Sequence, residues 1–480
     1  MVSFSTSAYA AWRSVALESS YLRETVEGVP SEHLMQLVWQ HQRVRPGCLV
    51  TAGGDVVEVL HPGFWNGMRG PDFRDAVIRV GGGAAVRGDV EIDTRVGNWV
   101  GHWHRGNPEY GGVVLHVVWE GDAAVHEGIP VVVMGGCLDA PLEEIVAWVD
   151  LDPGLPDNVI GRCASGLSRL GEGALAGLVE GAAMFRFQRK AMELGVRARQ
   201  VGWERALWEG MCAALGYQHN VWPMRRLAER VEVLRSAGLG VEELQARMLG
   251  VAGLLPPVSG RRSKGSGGYL RRLWDIWWRE RHALEGQVLP ACLWRMSGVR
   301  PANHPQRRVA LAAHWLWRMD WVRRLEAWLG TPCRDSRLAS GLLEVLQAGE
   351  DLFWERHWTL TSGEMAEARP LLGVTRVTDL AQNVILPWFW MRATVGRSEG
   401  VRDEVERRYL AWPSAQDNAV LRLARMRLFA GGMGGVRWTA ARQQGLLQVV
   451  RDFCGHSNAL CDACRFPDRV RELGEGLAGH

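Results

Sequence analysis

Gly70-Pro71-Asp72-Phe73 and Gly88-Asp89-Val90-Glu91-Ile92-Asp93 decide how this chain is read. A Pro-Asp dipeptide opens one apolar run, and a Glu-x-Asp lies inside the next. Both runs are short and rich in β-branched residues, which predicts strands. Alternate side chains on a strand share a face, so Glu91 and Asp93 point one way while Val90 and Ile92 point into the core. Asp72, at the head of the neighbouring strand, can meet them there. Mg²⁺ takes oxygen ligands, commonly one or two carboxylates completed by water and substrate oxygens. Asp72 and Glu91 are therefore candidate cation ligands. Solvated acids beside glycine turns are the other reading of the same pattern.

Upstream, residues 8–27 have an amphipathic helical pattern. Residues 31–39 have another, with Ser31 placed to cap it and Leu34, Leu37 and Val38 as its apolar stripe. Glu32, in its first turn, is a further candidate ligand. After Pro46-Gly47 the period changes to two, which predicts strands at 48–51, 56–60, 73–80 and 86–94 in an antiparallel meander. Gly81-Gly82-Gly83 reads as a hairpin turn rather than a phosphate cradle, because no helix follows it. A polar crossover, 98–110, leads to an apolar strand at 113–119 and a last one at 129–134. His102 and His104 on the crossover are candidate general bases or metal ligands. His116, flanked by valines, suits either a satisfied core position or a place on the active face.

Beyond the first 150 residues the pattern differs. Asp150 to Asp157 contains Pro153, Gly154 and Pro156 and reads as a linker. Residues 166–450 read almost entirely as helix. One basic, glycine-rich break at 259–268 holds Arg261, Arg262 and Lys264, either a loop over a polyanion or a plain surface loop. Arg300-Pro301-x-Asn303-x-Pro305 reads as a rigid corner between helices, with Asn303 capping the next one. Arg300, Arg307 and Arg308 are alternatively phosphate contacts. The tail carries Cys454, Cys461 and Cys464. Three thiolates at this spacing suit zinc or an iron–sulfur cluster, completed by His456 nearby or Cys163 at long range. A reduced, partly buried thiol group is the other reading. The expected organisation is α+β: a small mixed α/β domain (1–150), a linker (151–165), a large all-α domain (166–450) and a cysteine-containing tail (451–480).

The 480 residues are 47% apolar, enough for real cores. No run of eighteen apolar residues occurs, so no membrane span is expected. Residues 1–19 lack a basic flank followed by an apolar core, and nine largely scattered cysteines suit a reducing compartment, so a cytoplasmic location is expected. The net charge of +3 hides a split: the first 150 residues hold 10 of the 56 basic and 19 of the 53 acidic side chains. A basic second part suggests nucleic acid as a partner, ordinary solvated helix faces being the alternative. The 24 tryptophans fall mostly at helical spacing and read as core. Gly-x-Ser-x-Gly, P-loop and dinucleotide fingerprints are absent.

The first part resembles the PD-(D/E)XK nuclease core: a helix with an acid (Glu32), a strand opening Pro71-Asp72, a strand with Glu91-Ile92-Asp93, a crossover and a further strand. The resemblance implies a restriction-endonuclease-like fold that hydrolyses phosphodiesters. It implies Mg²⁺ or Mn²⁺ at Asp72 and Glu91, helped by Glu32 and the Ile92 carbonyl. Asp93 stands where that core has lysine, and no lysine precedes Lys190. His102, His104 and Arg95 are the nearest substitutes.

Over most of its length the chain resembles the DUF2851 family. The resemblance is carried by His61-Pro62-Gly63 with Asn66, Gly70-Pro71-Asp72-Phe73 with Ala76, and Gly88-x-Val90-Glu91-Ile92. Trp99-x-x-His102-x-His104, Tyr110 and Leu115-His116-Val117-Val118 follow. Leu215-Gly216-Tyr217 with Asn220, the Arg300 stretch with Arg308, Asn383 with Pro387, and the cysteine tail complete it. That family usually has histidine where this chain has Asp93. Three functions are thus expected to compete: a metal-dependent nuclease, a nucleic-acid-binding or scaffolding protein without chemistry, and a metal-dependent hydrolase of another substrate using His102 and His104.

Overall fold

The computed structural model describes residues 6–18, 30–66, 70–101, 107–121, 128–142, 145, 160–217, 219–236, 238–257, 266–296, 299–318, 320–417, 419–430, 437–454, 461 and 464–478. The expected linker from 150 to 157, and His102, His104, His456, Arg261, Arg262 and Lys264, lie outside the described residues.

The fold is α+β. Helix α1 spans Thr6–Glu18 and α2 Glu32–Gln40. Ser31 caps α2 by accepting from the Leu34 amide at 3.4 Å. Strands β1 (Val57–His61), β2 (Phe64–Trp65), β3 (Phe73–Val80) and β4 (Val86–Arg95) follow, then the short helix α3 (Asn98–Gly101), β5 (Val113–Glu120) and β6 (Val131–Val133). They form one sheet in the order β1-β3-β4-β5-β6, with β2 also on β3. β1, β3 and β4 pair antiparallel, whereas β4–β5 and β5–β6 are parallel. Parallel neighbours need a crossover. The chain from α3 to Tyr110 supplies it for β4 and β5.

The expected strand at 48–51 forms only isolated bridges, Val50 with Val56 and Thr51 with Val132. A tight turn explains this: the Thr51 amide donates to the Asp55 carbonyl and the Gly54 amide to the Thr51 carbonyl. The run folds back before a ladder can form. Gly88 permits the close approach of β4 to β5, since a Cβ there would lie 2.2 Å from Val114 Cγ1.

One face of the sheet packs Phe73, Val90, Ile92, Leu115 and Val117 against Met35, Val38 and Trp39 of α2. A second core lies among the helices, including Trp203–Leu215, Val241–Val251, Pro305–Trp317 and Leu386–Val395. A third joins α1 to the tail: Tyr9 packs with Leu175, Phe453 and Phe466. The Tyr9 hydroxyl donates to Asp452 at 2.9 Å, and Arg13 Nε to the same carboxylate at 3.1 Å. Helix α1 is therefore seated on the C-terminal cluster, not on the sheet.

The helical pattern fails at 347–373, which is irregular. Arg307 and Arg308 hold that segment. Arg307 donates to the carbonyls of Trp354, His357, Arg369 and Pro370, and Arg308 to that of Leu371. Both guanidinium groups are buried, so the reading of them as phosphate contacts is overturned. Asn303 does not cap the following helix either. Its Oδ1 accepts from Arg308 and Arg376. Arg300 is exposed. Among the described residues, no helix is long and apolar enough to cross a membrane.

Candidate functional site

Asp72 precedes β3, and Glu91 and Asp93 lie on β4, the strand with an antiparallel neighbour on one side and a parallel one on the other. The Asp72 amide donates to Glu91 Oε2 at 3.1 Å, and the Ile92 amide donates back to Asp72 Oδ2 at 3.0 Å. These reciprocal bonds hold the two carboxylates side by side. Gln36, one turn beyond Glu32 on α2, donates to Asp72 Oδ1 at 2.8 Å. Asn66 clamps the Pro-Asp dipeptide, its Nδ2 on the Pro71 carbonyl and its amide on the Asp72 carbonyl.

A register shift lies between Phe73 and Ala76, where Asp75 sits at φ +59° and its amide donates to Asp89. A second lies between Asp89 and Val90. Bulges re-aim side chains next to functional sites, and these two flank the acids. Asp93 and His116 are fully buried and Glu91 nearly so. The face that carries the acids is thus covered. Trp99 of α3 lies over it, its buried ring 5.1 Å from that of His116.

Burial sets the electrostatics. It raises the Asp72 carboxyl to about 7, with the Glu32 charge adding, while the Ile92 amide and Gln36 pull it down. Burial and then Asp72 raise Glu91 to about 9, against the relief of the Asp72 amide. Tyr110 feels the same field: burial, then Glu91 and Asp72, push its phenol to about 12. Burial and like charge thus favour the protonated forms of both acids.

Glu32 and Asp93 act on this pair through their charges. Among the described residues, however, no group of three or more His, Cys, Asp or Glu side chains stands as a ready-made metal site. Asp93 binds His116 instead, Oδ2 to Nε2 at 3.0 Å. Parallel register sets His116 opposite Glu91. Arg95, an expected substitute for the missing lysine, is exposed and paired with Glu120 at 2.6 Å. Sequence reasoning missed Gln36, Tyr110 and the Asp93–His116 pair. The one polar residue inside an otherwise apolar strand was the signal for the last.

Cys163 and Cys454 lie in one apolar cluster, with Cys464 packed against it, and burial pushes the Cys163 thiol up. A cavity of about 330 Å³ between β1 and the helices is a different matter. Arg226 and Arg225 pair with Glu229 at 2.7 and 3.7 Å and Arg197 with Glu209 at 2.6 Å, while Arg45 donates to the Gly136 carbonyl. Several motif residues far from the acids are structural. Asn220 exchanges hydrogen bonds with the backbone of Arg295, and a Cβ on Gly216 would lie 2.2 Å from the Asn220 carbonyl oxygen.

A family model described as a protein of unknown function, DUF2851, matches residues 32–417. No curated protein and no solved structure matches the chain.

Proposed function

We propose that this chain, which belongs to the DUF2851 family, is a metal-dependent, nuclease-like hydrolase of nucleic-acid phosphodiesters. One observation carries the reading: the Asp72 amide donates to the Glu91 carboxylate and the Ile92 amide to the Asp72 carboxylate, which holds the two acids together in a buried acidic field. Asp72 and Glu91 would hold Mg²⁺ or Mn²⁺, with Glu32 and the Ile92 carbonyl assisting. When bound, the cation neutralises phosphate charge and lowers the pKa of an attacking water.

The chain's own residues do the rest. Gln36 and the Ile92 amide fix the Asp72 carboxylate. His116, hydrogen-bonded to Asp93 at 3.0 Å and opposite Glu91 in the strand register, would take the place of the lysine of the nuclease core that the sequence resembles. Nucleic acid is held by the basic helical part, where Arg300 is exposed.

The test is cleavage of single- and double-stranded DNA and RNA with Mn²⁺, beside Asp72→Ala. Cleavage lost in the variant supports the reading. No cleavage by the wild type, or equal cleavage by both, overturns it. A second reading, binding without chemistry, draws on the engagement of Asp93 by His116. It predicts salt-sensitive nucleic-acid binding that survives Asp72→Ala and weakens in Arg300→Glu.

A further inference from the structure

Cys163 and the tail cysteines are far apart in sequence, yet they share one apolar cluster: Cys163 and Cys454 are buried in it and Cys464 packs against it. Helix Ala419–Phe429 organises the junction from both ends of one residue. The Arg427 carbonyl accepts from the Gly161 amide at 2.7 Å, which fixes the segment bearing Cys163. The Arg427 guanidinium, 1% exposed, donates to Cys461 Sγ at 3.2 Å and also hydrogen-bonds Cys454. Gly161 is confined there, since a Cβ would lie 3.0 Å from the Arg427 carbonyl oxygen and 3.3 Å from Cys163 Sγ. The Cys464 amide donates to the Cys461 carbonyl at 3.3 Å, and its thiol points to the Phe453 carbonyl at 3.7 Å.

We propose that Cys163, Cys454, Cys461 and Cys464 are the four thiolate ligands of a metal centre, zinc or an iron–sulfur cluster, that fastens the tail to the start of the helical region. The shared chemistry is tetrathiolate ligation. Four protons leave the thiols as metal binds, and the buried Arg427 cation then faces sulfur atoms that carry negative charge. Among the described residues, no three of these side chains already stand as a site for one ion. One zinc, with Zn–S of about 2.3 Å, would draw them inward. A cluster, being larger, would meet them farther apart. This centre is independent of the carboxylate pair.

The test uses the full chain purified without oxygen, assayed for zinc, iron and acid-labile sulfide. About one zinc, or about four irons with matching sulfide, is expected per chain. Cys163→Ser and Cys461→Ser should each lower that content roughly tenfold or more, and Cys292→Ser and Cys333→Ser should leave it unchanged. Should the ligand variants fail to fold, titration of the wild type with a mercurial should release its metal as four thiols are consumed. A wild type that holds neither metal, even after anaerobic reconstitution, overturns the proposal. So does a folded Cys163→Ser that keeps its full content, or metal release that does not follow thiol titration.

Discussion

Glu91→Gln isolates the energetic consequence of burying the acid pair. Glu91 keeps its proton to about 9 in the folded protein, because burial and the neighbouring Asp72 disfavour its charge. In the unfolded chain a glutamate ionises near 4.3. Between those values the folded state binds one more proton than the unfolded state. Stability therefore falls as pH rises, by about 1.4 kcal/mol per pH unit. From pH 6 to pH 8 the loss from this residue is about 3 kcal/mol, and Asp72, raised to about 7, adds to the slope below that value. The assay is urea unfolding in the presence of chelator, followed by tryptophan fluorescence. With an m-value of about 3 kcal/mol/M, Glu91 alone should lower the wild-type midpoint by about 1 M between pH 6 and 8. Glu91→Gln cannot ionise, so its midpoint should drop distinctly less and lie above the wild type at pH 8. Adding Mn²⁺ should raise the wild-type midpoint more at pH 8 than at pH 6, since fewer protons compete there. Parallel pH profiles for wild type and variant would refute the reasoning, because Glu91 would then be ionised throughout.

His116→Gln keeps a side chain able to hydrogen-bond Asp93 but removes the imidazole. Mn²⁺-dependent cleavage should fall about 100-fold or more, with nucleic-acid binding by filter retention unchanged. Gly88→Ala should destabilise by about 1–3 kcal/mol through overpacking against Val114. Adding Val114→Ala should restore part of that loss in the same unfolding assay. Arg307→Met should cost about 3 kcal/mol or more, because buried carbonyls of the 347–373 segment lose their donor. Limited proteolysis should then cut within that segment first.

The strands around the acids were legible because their apolar period and glycine punctuation agree with their final positions. Val57 to Leu60, Phe73 to Val80 and Val86 to Thr94 all became strand. The meeting of Asp72 with Glu91 was legible for the same reason. Its burial was not, since the packing of Trp99 over His116 is a tertiary event with no local signature. Cys48 to Thr51 misled because β-branched residues carry no information about a turn formed with Asp55. Arg307 and Arg308 misled because a sequence gives arginine's charge but not its address. Two neighbouring guanidinium groups can serve phosphate or fill a protein's own carbonyl cage, and only packing decides.

The seating of α1 has a consequence for synthesis. Phe185, one of the rings against Tyr9, emerges early enough to receive it. Asp452, which binds both Tyr9 and Arg13, follows Tyr9 by 443 positions. At 5–20 residues per second, roughly 20 to 90 s separate them on the ribosome. For that interval α1 waits for part of its socket. The nascent chain must carry a half-docked apolar surface while everything between is translated, which makes premature release or a stalled ribosome the point of greatest exposure to chaperones and proteases.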